Sequence, residues 1–133
     1  MKKAKQTPHA TRVVYCLFRT LGGRREFAFE QRPATGRWAG MWQFLTRPAR
    51  EETIDAISQT EPIGSVDHAL THRRYTFDVR LGPALKPGPE NVTWHTLESS
   101  ETIPLPRPHV KIRDMLRELA KAATKGSEEP GSE

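Results

Sequence analysis

His68-Ala69-Leu70-Thr71-His72-Arg73-Arg74-Tyr75-Thr76-Phe77-Asp78-Val79 alternates apolar and polar residues from Arg73 onward. That alternation puts Tyr75, Phe77 and Val79 on one face of a strand. Ile63 to His68 reads as its partner, so the pair forms a long hairpin around Ala69-Leu70-Thr71. A small hydroxyl residue between two histidines and ahead of two arginines then stands at a strand end. There it offers a donor, an acceptor and positive charge together.

Working outward, Thr11 to Phe18 is rich in β-branched and aromatic residues and predicts a strand. Leu21-Gly22-Gly23-Arg24-Arg25 predicts a turn, and Glu26 to Gln31 a return strand. Pro33 to Arg37 breaks the pattern, and Trp38 to Phe44 reads as a loop entering a short strand. Pro48 sits near the start of a helix with Glu51 and Glu52 in its first turn, where the macrodipole favours anions, and Ile54 and Ile57 as its buried stripe. Gly82 to Pro89 is a proline-rich loop, and Val92 to His95 a short strand. A final helix opens at Pro108, with Val110, Ile112, Met115, Leu116 and Leu119 as its apolar face. The order is three strands, a helix, three strands, a helix, which predicts an α+β fold: a mixed β-sheet packed by two helices. The expected divisions are a basic flexible lead or linker at 1–10, one folded domain at 11–124 and a disordered tail at 125–133.

The chain has 133 residues, a formal charge of +5 and a pI of about 9.7. Glu128, Glu129 and Glu133 stand in a C-terminal stretch without a base, so the rest is more basic still. A basic body suits a phosphate-bearing partner, although many basic domains bind nothing anionic. The single cysteine, Cys16, excludes an internal disulfide and any site built from several thiolates. It lies in the run Val13-Val14-Tyr15-Cys16-Leu17-Phe18, where a buried inert thiol is expected rather than a nucleophile. No apolar run is long enough for a helical span, and the N-terminus does not read as a signal peptide. No membrane partner and no cofactor are expected. The expected compartment is the cytoplasm, with nucleoid association if the chain binds DNA.

The segment Gln31-Arg32-Pro33-Ala34-Thr35-Gly36-Arg37-Trp38-Ala39-Gly40-Met41-Trp42-Gln43-Phe44 resembles the Nudix-like domain at the C-terminus of MutY-type adenine DNA glycosylases. Val66-Asp67-His68-Ala69-Leu70-Thr71-His72 is similar to that family's His-x-Phe-Ser-His loop. Trp94 to Leu97 and Pro104 to Ile112 resemble its closing strand and final helix, and Thr7-Pro8 the junction before it. The likeness spans about residues 8–122. It implies recognition of 8-oxoguanine opposite adenine in double-stranded DNA, through a loop formed here by His68, Leu70, Thr71 and His72, with Arg73, Arg37 and Trp38 nearby. It also implies a partnership with a separate or upstream helix-hairpin-helix glycosylase domain.

The chemistry is consistent with that implication. Oxidation turns the N7 acceptor of guanine into a donor and adds a carbonyl at C8. A hydroxyl such as that of Thr71 can accept the new N–H while nearby backbone N–H groups meet the new C8 carbonyl, which intact guanine lacks. Two departures stand out: Leu70 replaces the family's phenylalanine, removing a stacking ring, and Thr71 replaces its serine, adding a methyl. Structural readings stand beside these. His68 could bond only within its hairpin, Thr71 could be a turn residue, and Trp38 and Trp42 could belong to the core. Arg37, Arg73 and Arg74 could be solvated charges.

Nudix hydrolases hold divalent metal with a glutamate-rich loop and helix. The equivalent stretch, Phe44 to Glu61, lacks the glycine pair after the phenylalanine and the Arg-Glu-x-x-Glu-Glu run. Glu51 and Asp55 share a helix face but are explained by the helix dipole. No catalysis and no metal site are therefore expected; the alternatives are a degenerate Nudix hydrolase of a nucleoside diphosphate derivative and a protein-interaction module.

Overall fold

The apolar run beginning at Val13 forms the centre of the sheet. The structure, a computed structural model, describes residues 9–49, 59–85 and 88–128, with side chains to Ala123. The helix expected after Pro48, with Glu51, Glu52, Ile54, Asp55 and Ile57, lies outside the described residues, as do residues 1–8 and 129–133. Strand β1 spans His9–Leu21 and β2 spans Arg24–Gln31. Gly22 and Gly23 connect them at φ +60° and +79°, the left-handed pair that a two-residue hairpin turn requires. Strand β3 (Trp42–Pro48) pairs antiparallel with both, through Tyr15↔Leu45 and Phe29↔Phe44. Strands β4 (Glu61–Leu70) and β5 (Arg73–Pro83) make the second hairpin, and β6 (Thr93–His95) adds to the edge of β2. A 3-10 turn at Ser99–Thr102 leads to helix α1 (Arg107–Glu128).

The sheet runs β4-β5-β1-β3-β2-β6. β1 and β5 are parallel from His9↔Arg74 to Phe18↔Pro83, and the other pairings are antiparallel. A strand with neighbours on both sides and both faces covered should be apolar throughout, which explains why β1 is continuously hydrophobic at its middle. Val14 and Cys16 face the α1 side with Phe27, Phe29, Phe44, Phe77 and Val79. Tyr15 and Leu17 face the other side with Ala28 and Leu45. Burial pushes the Cys16 thiol far above its ordinary range, so it is a packing group.

Several boundaries differ from the sequence reading. β1 begins at His9 because residues 9 and 10 pair with Arg74 and Tyr75, inside what reads as a lead. β5 continues through Gly82 and Pro83, the expected start of a loop, because their partners on β1 extend the ladder. α1 opens at Arg107 and runs to Glu128, past Lys125. Its apolar face is narrower than expected: Ile112 and Leu116 are buried, but Leu119 is 40 % exposed.

The start of α1 is fixed to β3 by a buried histidine. His109 is 1 % exposed, stacks on Phe44, meets Phe77 edge-on and accepts the Phe44 N–H through Nδ1 at 3.3 Å. Burial, reinforced by Arg32, lowers its pKa to about 3, so the ring is neutral.

Candidate nucleic-acid interface

The β4–β5 hairpin turns at Thr71 and His72, both exposed. Its register sets Leu70 opposite Arg73 and His68 opposite Tyr75. Side chains alternate along a strand, so His68 and Leu70 share the α1 side of the sheet with Arg73 and Tyr75. Leu70 is half-buried against the core rather than projecting as a wedge. On the opposite face the Thr76 hydroxyl donates to Asp67 at 2.9 Å, and His9 Nε2 lies 2.8 Å from the same hydroxyl.

The loop between β2 and β3 brings Trp38 to that hairpin. Trp38 sits at φ +58°, in the left-handed region that a bulky side chain rarely adopts. A conformation costing roughly 1–3 kcal/mol persists only where its surroundings over-determine it. Here the Arg32 N–H donates to Met41 O at 2.7 Å, and the Gly40 N–H to Pro33 O at 2.9 Å. The Arg32 guanidinium donates to Arg37 O at 3.0 Å and to Gln43 Oε1 at 3.3 Å. The indole consequently lies 5.7 Å from the His68 ring and 5.8 Å from the Tyr75 ring.

Positive charge surrounds these three rings. Arg37 and Arg32 stand 5.7 and 5.9 Å from the Trp38 centroid. Arg12 and Arg73 stand 5.9 and 6.0 Å from that of Tyr75. At these distances each cation–π contact is weak, and the convergence matters more than any pair. Some arginines elsewhere have carboxylate partners, as in Arg19–Glu26 at 2.8 Å and Arg47–Glu30 at 3.0 Å. Among the described residues, none of Arg12, Arg32, Arg37, Arg73, Arg107 and Lys111 is in an ion pair. Burial, then Lys111, Arg107 and Arg37, hold His68 below the ordinary histidine pKa.

The expected residues His68, Leu70, Thr71, His72 and Arg73 thus lie on one hairpin, and the loop carrying Arg37 and Trp38 comes to meet it. Arg74 points to the opposite face from Arg73. Arg12, Arg32, Arg107 and Lys111 also belong to this surface without being expected there from sequence, and Tyr75 is part of it as well as a strand residue. One signal existed: the first turn of α1 contains Arg107 and no acid, against the preference of a helix N-terminus. Among the described residues there is no group of three His, Cys, Asp or Glu able to hold a metal. Within them, too, no helix is long and apolar enough to cross a membrane. Between α1 and the far ends of β4 and β5 lies a cavity of about 610 Å³, largely aliphatic, with Phe27, Ile63, Leu81, Leu97 and Leu116 in its walls.

Three solved structures place this architecture among known folds. The C-terminal domain of mouse MUTYH, in complex with human PCNA, is 16% identical, with 84% of this chain and 90% of that one covered and a TM-score of 0.65. The NUDIX domain of Shewanella oneidensis NrtR, complexed with ADP ribose, is 12% identical over 90% and 94% of the two chains, with a TM-score of 0.65. A MutT protein from Methanosarcina mazei Go1 is 18% identical over 89% and 97%, with a TM-score of 0.61. At such identities the similarity extends to the fold alone, and it does not separate the MutY type from other Nudix folds. No curated protein matches the sequence significantly. The family model for the NUDIX domain, however, matches residues 14–115, most of the chain, and by that match the protein belongs to the Nudix family.

Proposed function

We propose that this chain is a DNA-binding module that recognises 8-oxoguanine opposite adenine and does not itself catalyse a reaction, in the manner of the C-terminal domain of MutY-type glycosylases. The observation that carries this reading is the pairing of an exposed Thr71 hydroxyl at a hairpin tip with an adjoining aromatic surface of cations without carboxylate partners. Cations of that kind attract the phosphate backbone irrespective of sequence, whereas a hydroxyl that donates and accepts can read a base edge. Excision of the mispaired adenine would fall to a separate or upstream helix-hairpin-helix domain. In a cell without a nucleus such a module would work in the cytoplasm, on the nucleoid.

Binding isotherms on duplexes differing only in 8-oxoguanine:adenine against guanine:adenine test the reading. It expects tighter binding to the lesion and a steep loss of affinity for both duplexes with salt. Equal affinities would remove the lesion claim.

A second reading, hydrolysis of a nucleoside diphosphate derivative, draws support from the fold shared with the ADP-ribose-bound NrtR domain and with the MutT protein. Phosphate release from a nucleotide panel with magnesium would favour it over the first.

A further inference from the structure

Four groups from three separate elements converge beside the hairpin tip. Helix α1 crosses β4 closely at Gly64, where the Met115 thioether stands 3.4 Å from the place a Cβ would occupy. From Gly64 to His68 the strand advances about 13 Å. From Met115 back to Arg107 the helix advances about 12 Å. Arg107 is therefore level with His68, and Lys111, one turn later, lies on the same helical face. Arg37 reaches the place from the β2–β3 loop, next to the indole that packs on the His68 ring. Arg37, Arg107 and Lys111 are exposed, and among the described residues none has a carboxylate partner.

We propose that Arg37, Arg107 and Lys111, with the His68 imidazole, form a site for one phosphate ester. Its occupant under the DNA reading is a backbone phosphodiester next to the base read by Thr71, so the inference rests on that reading only for which molecule carries the phosphate. Three cations facing one point repel one another until an anion arrives. Burial, together with their field, holds the His68 pKa below the ordinary histidine value in the free protein. A bound phosphate cancels that field, so His68 gains a proton on binding and becomes a fourth donor. The other groups facing His68 are Tyr75 and Arg73 of β5, while Asp67 on its own strand projects to the opposite face, bonded to Thr76. Among the described residues, no carboxylate is placed to make the proton uptake independent of the phosphate.

The test compares the wild type with the triple variant Arg37→Ala/Arg107→Ala/Lys111→Ala, and with Arg24→Ala/Arg25→Ala as a control outside the site. The probes are lesion duplex, undamaged duplex and adenosine diphosphate. The triple variant should bind both duplexes about tenfold more weakly, with the log-affinity against log-salt slope reduced by about one to three, and leave their ratio unchanged. The control should change little. Wild-type affinity should rise roughly threefold from pH 7.5 to 5.5, a gain that His68→Asn abolishes. The His68 ring resonance should titrate at higher pH with DNA bound than without. Wild-type duplex binding that the triple variant keeps in full would overturn the site while leaving the DNA reading intact. Loss of adenosine diphosphate binding in the triple variant, with no duplex binding by the wild type, would support the site and overturn the DNA reading. Absence of binding to all three probes would overturn both.

Discussion

The indole of Trp38 and the imidazole of His68 lie 5.7 Å apart, joining the β2–β3 loop to the β4–β5 hairpin. That contact holds one expected contact loop against another, on a face where arginines outnumber acids. It also explains the unfavourable backbone at Trp38: the packing of its ring and the bonds from Arg32 and Gly40 outweigh the cost of φ +58°.

Trp38→Ala should therefore loosen both loops at once. Removing a half-buried indole costs about 2–3 kcal/mol, below the range for a fully buried tryptophan. Urea unfolding should show a lower midpoint, and affinity for damaged and undamaged duplex should fall together. A variant of unchanged stability would mean that the ring contacts are incidental.

His109 sets the acid limit of the fold. Its pKa is about 3 in the folded protein, against an ordinary histidine value near 6.5 when unfolded. The unfolded chain binds the proton more readily, so stability contributed by the neutral ring is full above pH 6.5 and is lost as pH falls towards 3. About 2 kcal/mol should be gone by pH 5. His109→Gln keeps an acceptor for the Phe44 N–H and cannot titrate. It should be less stable at pH 7 and show a flatter acid limb in denaturation series between pH 7 and 4.

Glu30 joins β2 to β3 through its carboxylate, which accepts from Gln43 Nε2 at 2.8 Å, the Thr46 N–H at 3.0 Å and Arg47 Nη1 at 3.0 Å. Glu30→Ala strands a backbone donor and two side chains, so a loss of about 2–3 kcal/mol is expected from chemical unfolding. Glu30→Gln, which keeps an acceptor, should lose less.

Much of this architecture is legible in the chain. The Gly22-Gly23 turn, the alternation from Tyr75 to Val79 and the apolar run of β1 are local patterns, and each element they predict is present. What was hidden depends on distant pairings. The parallel register of β1 with β5 lengthens both strands beyond their local signals, to His9 and Pro83. Leu119 fits a helical stripe by spacing, yet 40 % of it is exposed. Arg107 and Lys111 join the hairpin only because α1 crosses β4 at Gly64, a side-chain-free position whose role no helical pattern reveals. The sequence leaves Trp38 open to core or contact; in the structure it packs on the core and stands among arginines.

The most direct test is the ratio of affinities for 8-oxoguanine:adenine and guanine:adenine duplexes, measured for the wild type and for Thr71→Ala. Thr71 is exposed, so its loss should change stability by less than about 0.5 kcal/mol. The wild type should prefer the lesion by about 1–3 kcal/mol, roughly 5- to 150-fold, and Thr71→Ala should bring the ratio close to one while keeping most of the affinity for undamaged duplex. A preference that survives the substitution, or a wild type that binds both duplexes alike, contradicts the account.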